Sequence, residues 1–265
     1  MNLRSSAKAT RYEQKANDRT TCQKAVGLVY NDIMMKHIGP KGHWEKPERI
    51  KAIWQHLKKN RLDSRLQHLP CLEALEEWIE RVHSQQYFQE VMKCEVSNRE
   101  RKNILEKYNN VDSHDMYLSR GSREAMLNAA GGVVTAVQEV ANRTVQSAFA
   151  VVRPPGHHAS REKAEGFCWL NNMAIGATFL LDVKKYNKIL KVDWDHQGNG
   201  IRAYSRVIPE FYISQSIDMG RVRSLFTPGQ EILRKQAAEM NWGIPSMFRS
   251  WAGLGFNIIT HCQTI

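Results

Sequence analysis

The sequence has no apolar run long enough to cross a membrane. A membrane-spanning helix needs about 20 consecutive apolar residues, and polar or charged residues interrupt every apolar stretch of this chain before that length. The first residues also lack the apolar core of a secretory signal peptide. We therefore expect a protein that is not inserted in a membrane.

Cysteine is scarce, and its spacing shows no pairing pattern. No two cysteines form a CxxC pair, and their number is odd. A scattered set of this kind indicates a reduced intracellular compartment rather than a disulfide framework. The five cysteines are Cys22, Cys71, Cys94, Cys168 and Cys262.

Internal repeats and low-complexity linkers are also missing. A chain of 265 residues then fits one sizeable domain with a tail. Residues 1–24 are polar and rich in Arg, Lys and Thr, so we predict a flexible polar tail there, with an organelle-targeting segment as the alternative. The domain is predicted to cover residues 25–265.

Positive charge is in excess, with 38 Lys+Arg against 27 Asp+Glu and a formal net charge of +11. This balance favours acidic partners and is compatible with chromatin. The basic residues are spread out, however, and the densest short run, residues 99–102, contains an acid. A solvated helix face is the better interpretation of that run, and we do not expect specific direct binding to nucleic acid.

Short apolar runs alternate with amphipathic stretches, which is the pattern of an α/β protein with a mostly parallel sheet. Strands are predicted at 25–30, 66–69, 147–152, 188–192, 211–213 and 256–259. Helices are predicted from Pro47 onward and at 72–82, 85–94, 122–140, 169–183 and 231–240, with a surface helix or loop at 95–111. Ser122 is the expected N-cap of the longest helix. Gly131 and Gly132 inside that helix indicate close packing against the sheet.

The region 147–200 is predicted to form a βαβ unit. The strand at 147–152 leads into Arg-Pro-Pro-Gly-His-His, the helix at 169–183 follows, and the strand at 188–192 leads into Asp-Trp-Asp-His. A crossover connection makes two strands parallel, so both loops should leave the same edge of the sheet. Open α/β sheets place their sites at that edge.

The two loops carry side chains for acid/base and metal chemistry. The adjacent His157 and His158 follow a stiff Pro-Pro pair and Gly156, and they can act as a general acid/base pair near neutral pH. Asp193 and Asn199 are candidates for fixing their tautomers. Asp195 and His196 are ligand types suited to a catalytic metal. The stretch Gly166-Phe167-Cys168 would place an aromatic wall beside the entrance.

These stretches, residues 153–159, 166–172 and 193–200, resemble the zinc-dependent histone deacetylases of the class II type. The resemblance covers nearly the whole chain and implies an arginase-like α/β fold that removes acetyl groups from lysine side chains. It also implies Zn²⁺ as cofactor. By position, the resemblance assigns catalytic roles to His157, His158, Asp193 and Asn199, substrate contacts to Gly166, Phe167, Cys168 and Phe226, and metal binding to Asp195 and His196.

The second loop departs from the family pattern. The family reads Asp-Trp-Asp, one apolar residue and then His-His-Gly-Asn-Gly, whereas residues 193–200 are one residue shorter, with Gln197 in place of a histidine. A catalytic zinc usually has three protein ligands, and nothing in the sequence matches the family's third ligand or its transition-state tyrosine. We expect the C-terminal part of the fold to be missing, and zinc binding and activity to be weak or absent.

Three functions are compatible with these residues. The first is an active deacetylase with an altered metal site. The second is an inactive homologue or isoform that binds acetylated histone tails, other acetyl-lysine proteins or corepressor proteins. The third is a basic chromatin-associated module that does not use the pocket. The resemblance places all three in the nucleus, the cytoplasm or both.

Overall fold

A computed structural model describes residues 26–108, 115–186, 188–192, 201–205 and 211–213. The strands are β1 (Val26–Val29), β2 (Gln67–Leu69), β3 (Ser147–Ala150), β4 (Lys188–Val192), β5 (Ile201–Ser205) and β6 (Phe211–Ile213). The helices are α1 (Glu48–Lys59), α2 (Glu76–Ile79), α3 (Gln85–Met92), α4 (Asn98–Tyr108), α5 (Ser122–Ala141) and α6 (Asn172–Asp182). Short 3-10 helices cover Asp32–Lys36, Asp63–Arg65 and Lys93–Glu95.

The first sheet has three parallel strands in the order β2-β1-β3. Its central strand is the apolar run near the start of the domain, and Leu28 and Val29 of that strand are buried. Gly27 lies opposite Gln67 on one side and Ala148 on the other. The predicted α/β class with a parallel sheet is therefore confirmed, and β3 ends where the histidine loop begins.

The predicted parallel pairing of the strands at 147–152 and 188–192 is wrong for the described residues. β4 belongs to a second sheet, in the order β4-β5-β6, and pairs antiparallel with β5. Val192 lies opposite Ile201 in that pairing. An antiparallel partner can be reached through a local loop, whereas a parallel one needs a crossover connection, so β4 pairs with the strand that follows it along the chain.

Helix α5 is the centre of the packing. It runs for 20 residues and is buried for most of its length, between the first sheet and α6. Gly132 faces Val29 and Val152, as expected for close packing against the sheet. Gly131 instead approaches backbone: a Cβ there would lie 1.9 Å from the carbonyl oxygen of Leu72. The two glycines therefore pack against different neighbours: Gly132 against side chains of the sheet side, and Gly131 against the backbone at Leu72.

The helix predicted at 72–82 is much shorter, because α2 covers only Glu76–Ile79. Residues 71–75 cross α5 without helical structure, and the Ala74 N–H donates to the carbonyl of Leu127 at 2.9 Å. Gly131 lacks the side chain that would keep this backbone away. A tertiary contact thus replaces the helical hydrogen bonds that the amphipathic spacing predicted.

The N-cap prediction for α5 is also wrong. The cap position is Gly121, with φ of 92°, and Ser122 is the first helical residue. The Ser122 hydroxyl accepts a hydrogen bond from the Ser119 N–H at 2.7 Å and contacts His37 at 2.8 Å. It therefore ties the preceding turn to the loop after β1 rather than capping the helix.

The remaining predicted elements either agree with the structure or fall outside the residues that it describes. The charged stretch at 95–111 contains α4, which buries Ile104. The helix predicted at 231–240 and the strand at 256–259 fall outside the described residues. Within the described part of the chain, every helix is too short or too polar to cross a bilayer.

Candidate functional site

The histidine pair lies on the loop that leaves β3. The Val151 N–H still donates to the carbonyl of Val29 at 2.9 Å, so the loop starts from the edge of the sheet. His157 is buried, with 4% of its surface exposed, whereas His158 is only partly buried. Their ring centroids are 4.1 Å apart. The pair therefore presents one enclosed and one more accessible imidazole in direct contact.

Gly156 allows this loop to lie close to the start of α6. A Cβ on Gly156 would be 2.5 Å from both the Leu170 carbonyl oxygen and the Asn172 nitrogen. The Asn172 side chain donates to the carbonyl of Pro154 at 3.1 Å, and the Ala159 N–H donates to Gly156 at 3.2 Å. Gly156 therefore permits a close backbone approach between the loop and the start of α6.

The turn at residues 165–168 lies against the pair. Gly166 has φ of 54° and Phe167 has φ of 67°, and a Cβ on Gly166 would be 2.5 Å from Cδ2 of His158. Cys168 is fully buried, and its thiol donates to the Gly166 carbonyl at 3.2 Å. The structure therefore brings Gly166 into contact with the predicted acid/base pair, while Cys168 supports the turn from within the core.

A buried ionic cluster lies at the start of the loop. The Arg153 guanidinium is fully buried and donates through Nε to Glu45 Oε1 at 2.9 Å. It also donates to the Met34 carbonyl at 2.9 Å and to the Tyr117 hydroxyl at 2.6 Å. Sequence reasoning missed Glu45 and Tyr117, since no local pattern links them to Arg153.

Glu45 interacts with a second guanidinium as well. Arg49 donates to Glu45 Oε1 at 3.3 Å and to the Val152 carbonyl at 3.2 Å. Burial, opposed by Glu45 and aided by the positive Arg153, lowers the pKa of Arg49. Burial and the nearby Glu45 carboxylate raise the pKa of Tyr117, so its hydroxyl stays neutral and donates to Glu45 Oε2 at 2.7 Å.

Aromatic rings connect this cluster to Phe167. The ring of His37 stacks on Tyr117 with centroids 4.3 Å apart, and burial together with the charge of Arg153 holds the pKa of His37 well below its usual range. The ring of His43 meets Tyr117 edge-on at 4.5 Å and Phe167 at 5.2 Å. His37 and His43 thus have structural contacts, and the ring of His43 links Phe167 to the buried cluster.

The metal half of the predicted site is not placed by the described residues. Asp193, Asp195, His196, Asn199 and Phe226 all lie outside them. Among the residues that the structure describes, no group of three or more His, Cys, Asp or Glu side chains could hold a metal ion. The fit to zinc therefore rests on donor type alone: a carboxylate and an imidazole are both ordinary zinc ligands.

Together these features define an α/β protein with an adjacent-histidine loop at the carboxyl end of a parallel strand. The histone deacetylase domain matches residues 43–217 of the chain. This range contains the histidine loop and the elements described around it, except β1 and the turn that follows β1. The chain belongs to the histone deacetylase family, whose members are generally zinc-dependent.

Relatives from plants and animals support this assignment. The chain is 39% identical to histone deacetylase 5 of Arabidopsis thaliana over 186 residues, and this match covers 67% of the chain and 27% of the relative. It is 36% identical to the polyamine deacetylase HDAC10 of Homo sapiens over 180 residues, covering 66% and 26%. The chain thus spans about a quarter of the length of these curated relatives.

The fold is also similar to a solved structure. The crystal structure of the HDA15 HD domain superposes with a TM-score of 0.57 at 29% sequence identity. The superposition covers 66% of this chain and 48% of that one. The shared part is therefore about half of the solved domain.

Proposed function

We propose that this chain is a histone deacetylase-like protein that binds N-acetyl-lysine side chains at the His157–His158 loop and hydrolyses them slowly. The observation that carries the proposal is the contact between the two imidazoles, 4.1 Å apart, with the backbone of Gly166 against His158. Two touching imidazoles, one enclosed and one more accessible, are suited to passing protons to and from a bound amide.

The reaction needs two proton transfers. One imidazole takes a proton from the attacking water, and the other gives a proton to the lysine amine as it leaves. Asp193 and Asn199 would orient the two rings, while Gly166, Phe167, Cys168 and Phe226 would line the path of the acetyl-lysine chain. Zinc, when held by Asp195 and His196, supplies Lewis-acid chemistry that polarises the amide carbonyl.

The shortened segment 193–200 is the reason that we expect slow turnover. Neighbouring residues in an extended segment point to opposite faces, so Asp195 and His196 can share one ion only if the backbone bends between them. Removing one positioned donor to the developing oxyanion costs about 100- to 1,000-fold in rate, and a metal ion out of place removes a group that polarises the same carbonyl. We expect this chain to lose at least that much relative to a family member with the full motif.

Metal analysis and turnover of an acetyl-lysine peptide by the purified chain test this function. We expect less than one zinc per chain and slow turnover that His158→Ala abolishes. The matched control is His56→Ala, which removes an exposed histidine of α1 and should leave turnover unchanged. Turnover that survives His158→Ala would overturn the assignment, and one firmly held zinc with fast turnover would overturn the predicted impairment.

An inactive binding module is the second candidate function. Its support is the altered motif at 193–200, which is one residue shorter than the family pattern and has Gln197 in place of a histidine. Peptide binding that is equal with and without a metal chelator, with no turnover, would favour it. An acetylated polyamine belongs in the same experiment, because a relative at 36% identity is named a polyamine deacetylase; we expect the peptide to be preferred, since histone deacetylase 5 is more similar at 39%.

The proposed partners are acetylated histone tails, other acetyl-lysine proteins and corepressor proteins. Cys71 and Cys94 are free cysteines, which suits the reducing interior of the nucleus or cytoplasm. The formal net charge of +11 favours acidic partners. Any direct binding to nucleic acid would be non-specific and would weaken steeply with added salt.

A further inference from the structure

His83 lies in the turn between α2 and α3, far from the histidine pair in sequence but hydrogen-bonded to the segments on which the pair's loop rests. Its side chain is fully buried. Nε2 is 2.9 Å from the backbone nitrogen of Asn171, and Nδ1 is 3.3 Å from the carbonyl oxygen of Arg161. The imidazole therefore bridges two segments that are far apart along the chain.

These two contacts fix the tautomer of His83. A backbone N–H can only donate, so Nε2 must be the unprotonated nitrogen that accepts from Asn171. The proton is then on Nδ1, which donates to the Arg161 carbonyl. The same carbonyl accepts a second hydrogen bond from the Ser84 N–H at 3.2 Å. A neutral imidazole supplies this acceptor and this donor at once, on two different edges of one rigid ring.

The bridged segments are the ones that hold the histidine loop. The Asn171 side chain donates to the carbonyl of Ala159, directly after the pair, at 2.7 Å. The side chain of Asn172 donates to the carbonyl of Pro154, three residues before the pair, at 3.1 Å. Arg161 continues the same loop. By fixing the backbone of Asn171 and the carbonyl of Arg161, His83 sets where both ends of the loop are anchored.

The residues next to His83 are themselves held in place by stacking and hydrogen bonds. Its ring stacks on Tyr87 with centroids 5.2 Å apart, and the Tyr87 hydroxyl donates to the carbonyl of Trp169 at 2.7 Å. Asn171 also caps α6, because its side-chain oxygen accepts from the Ala174 N–H at 3.0 Å. The anchor therefore connects α3, α6 and the loop through one buried ring.

We propose that His83 is a positioning residue, whose neutral imidazole sets the location of the His157–His158 pair through Asn171 and Arg161. The hydrogen bonds of His83 go to the backbone of Asn171 and Arg161, so its effect on the loop is transmitted by the backbone. The effect on turnover rests on the function proposed above, whereas the effect on the position of the loop does not. Two different readouts can therefore separate the two proposals.

Three substitutions separate what the His83 ring contributes as an acceptor, as a donor and as a packed ring. In His83→Gln the side-chain amide reaches the position of Nε2 and can accept from the Asn171 N–H. In His83→Asn the shorter amide reaches the position of Nδ1 and can donate to Arg161. His83→Phe keeps a ring of similar size and supplies neither. Tyr87→Phe is the matched control, because it removes a buried hydrogen bond from the same layer but none to Asn171 or Arg161.

The readouts are amide hydrogen exchange at Asn171, the imidazole resonances of His157 and His158, and turnover of the acetyl-lysine peptide. We expect His83→Phe and His83→Asn to speed exchange at Asn171 at least tenfold and to shift both imidazole resonances. His83→Gln should stay close to the original chain in both measurements, and Tyr87→Phe should leave the resonances in place. Where turnover is present, kcat should fall in His83→Phe and His83→Asn and stay close to the original value in His83→Gln.

Different results would overturn or uphold the positioning role of His83. Imidazole resonances that move equally in His83→Phe and Tyr87→Phe would reduce His83 to a packing residue and overturn the proposal. So would turnover that is lost in His158→Ala but unchanged in every His83 variant. Shifts confined to the His83 variants, in a chain without any turnover, would uphold the positioning role and count against the proposed function. If His83→Phe fails to fold, the comparison of His83→Gln with His83→Asn decides the question.

Discussion

Glu45 is a single carboxylate between two buried guanidinium groups. It accepts from Arg153 at 2.9 Å and from Arg49 at 3.3 Å, and both arginine side chains have less than a tenth of their surface exposed. Removing one partner of a buried ion pair leaves an uncompensated charge and costs about 3–5 kcal/mol. Glu45→Gln should therefore lower the free energy of unfolding by about that amount, measured by urea denaturation.

Glu124 offers the matched control for this substitution. It pairs with Lys36 at 2.7 Å, but both side chains are more than a third exposed. Exposed pairs of this kind contribute about 0–1 kcal/mol, so Glu124→Gln should have little effect. Equal losses from the two substitutions would show that the buried cluster at Arg153 is not a special source of stability.

Gly166 and Gly42 form a second informative pair of residues. Both have positive φ, 54° and 86°, but a Cβ on Gly42 would meet nothing within 4 Å, whereas one on Gly166 would be 2.5 Å from the ring of His158. Gly42→Ala should cost only the backbone strain, about 1–2 kcal/mol. Gly166→Ala should cost about 1–3 kcal/mol more and should move the imidazole resonances of His158.

A smaller loss for Gly166→Ala than for Gly42→Ala would contradict the contact between that turn and His158. Urea denaturation gives the two free energies, and nuclear magnetic resonance gives the position of the ring. An unchanged His158 signal in a folded Gly166→Ala protein would likewise mean that the turn and the imidazole do not touch.

At the scale of elements, the crossing of residues 71–75 over α5 depends on Gly131. A Cβ there would lie 1.9 Å from the Leu72 carbonyl oxygen and 2.5 Å from the Ala74 nitrogen. Alanine is favoured over glycine inside a helix by about 1 kcal/mol, so Gly131→Ala would stabilise an isolated helix. In the folded chain we expect a net loss of about 3 kcal/mol or more, because backbone atoms cannot move aside as side chains can.

Gly132→Ala is the control within the same helix. The three atoms nearest to its Cβ would be side-chain atoms of Val29, Cys71 and Val152 at 3.1–3.3 Å, and side chains can adjust by a few tenths of an ångström. Thermal or urea unfolding of the two variants provides the measurement. A Gly131→Ala variant as stable as Gly132→Ala would contradict the close crossing.

The elements also show which structural features sequence patterns can predict. The run at 147–152 predicted β3 and the loop that follows, because an apolar run ended by Pro-Pro-Gly is a local signal. The helix at 72–82 failed because its outcome depends on Gly131, which is remote in sequence. The cluster of Glu45, Tyr117 and Arg153 could not be predicted for the same reason: each residue type is ordinary where it stands, and only the fold brings the three together.

For the whole molecule, two buried histidines make stability depend on pH. Burial lowers the pKa of His83 from 6.5 to about 4, against the opposing effect of its hydrogen bonds to the backbone of Arg161 and Ser160. The pKa of His37 is lowered by burial and by the charges of Arg153 and His43. In the unfolded chain both bind protons near pH 6.5, whereas in the folded chain they do not. Stability is therefore complete above that pH and is lost as the pH falls toward about 4.

Urea denaturation at different pH values measures this loss. Between about pH 7.5 and about pH 5, His83 alone should remove about 2 kcal/mol from the free energy of unfolding, and His37 should add to it. His83→Gln has no ionisable group and should make the dependence shallower. A stability that is unchanged, or that rises on acidification over this interval, would contradict the burial of both neutral rings.

The register of the first sheet also has a consequence for the order of folding. β1 pairs with β3 from Val26–Ser147 to Val29–Ala150, so all of β2 and α1–α5 lie between the two partners along the chain. Contacts between such distant segments form slowly, because a long loop must close first. During synthesis β1 leaves the ribosome long before β3 exists, and its open edge is free to meet chaperones or wrong partners. The histidine pair lies on the loop after β3, so it can reach its folded position only after β3 has been synthesised and has paired with β1.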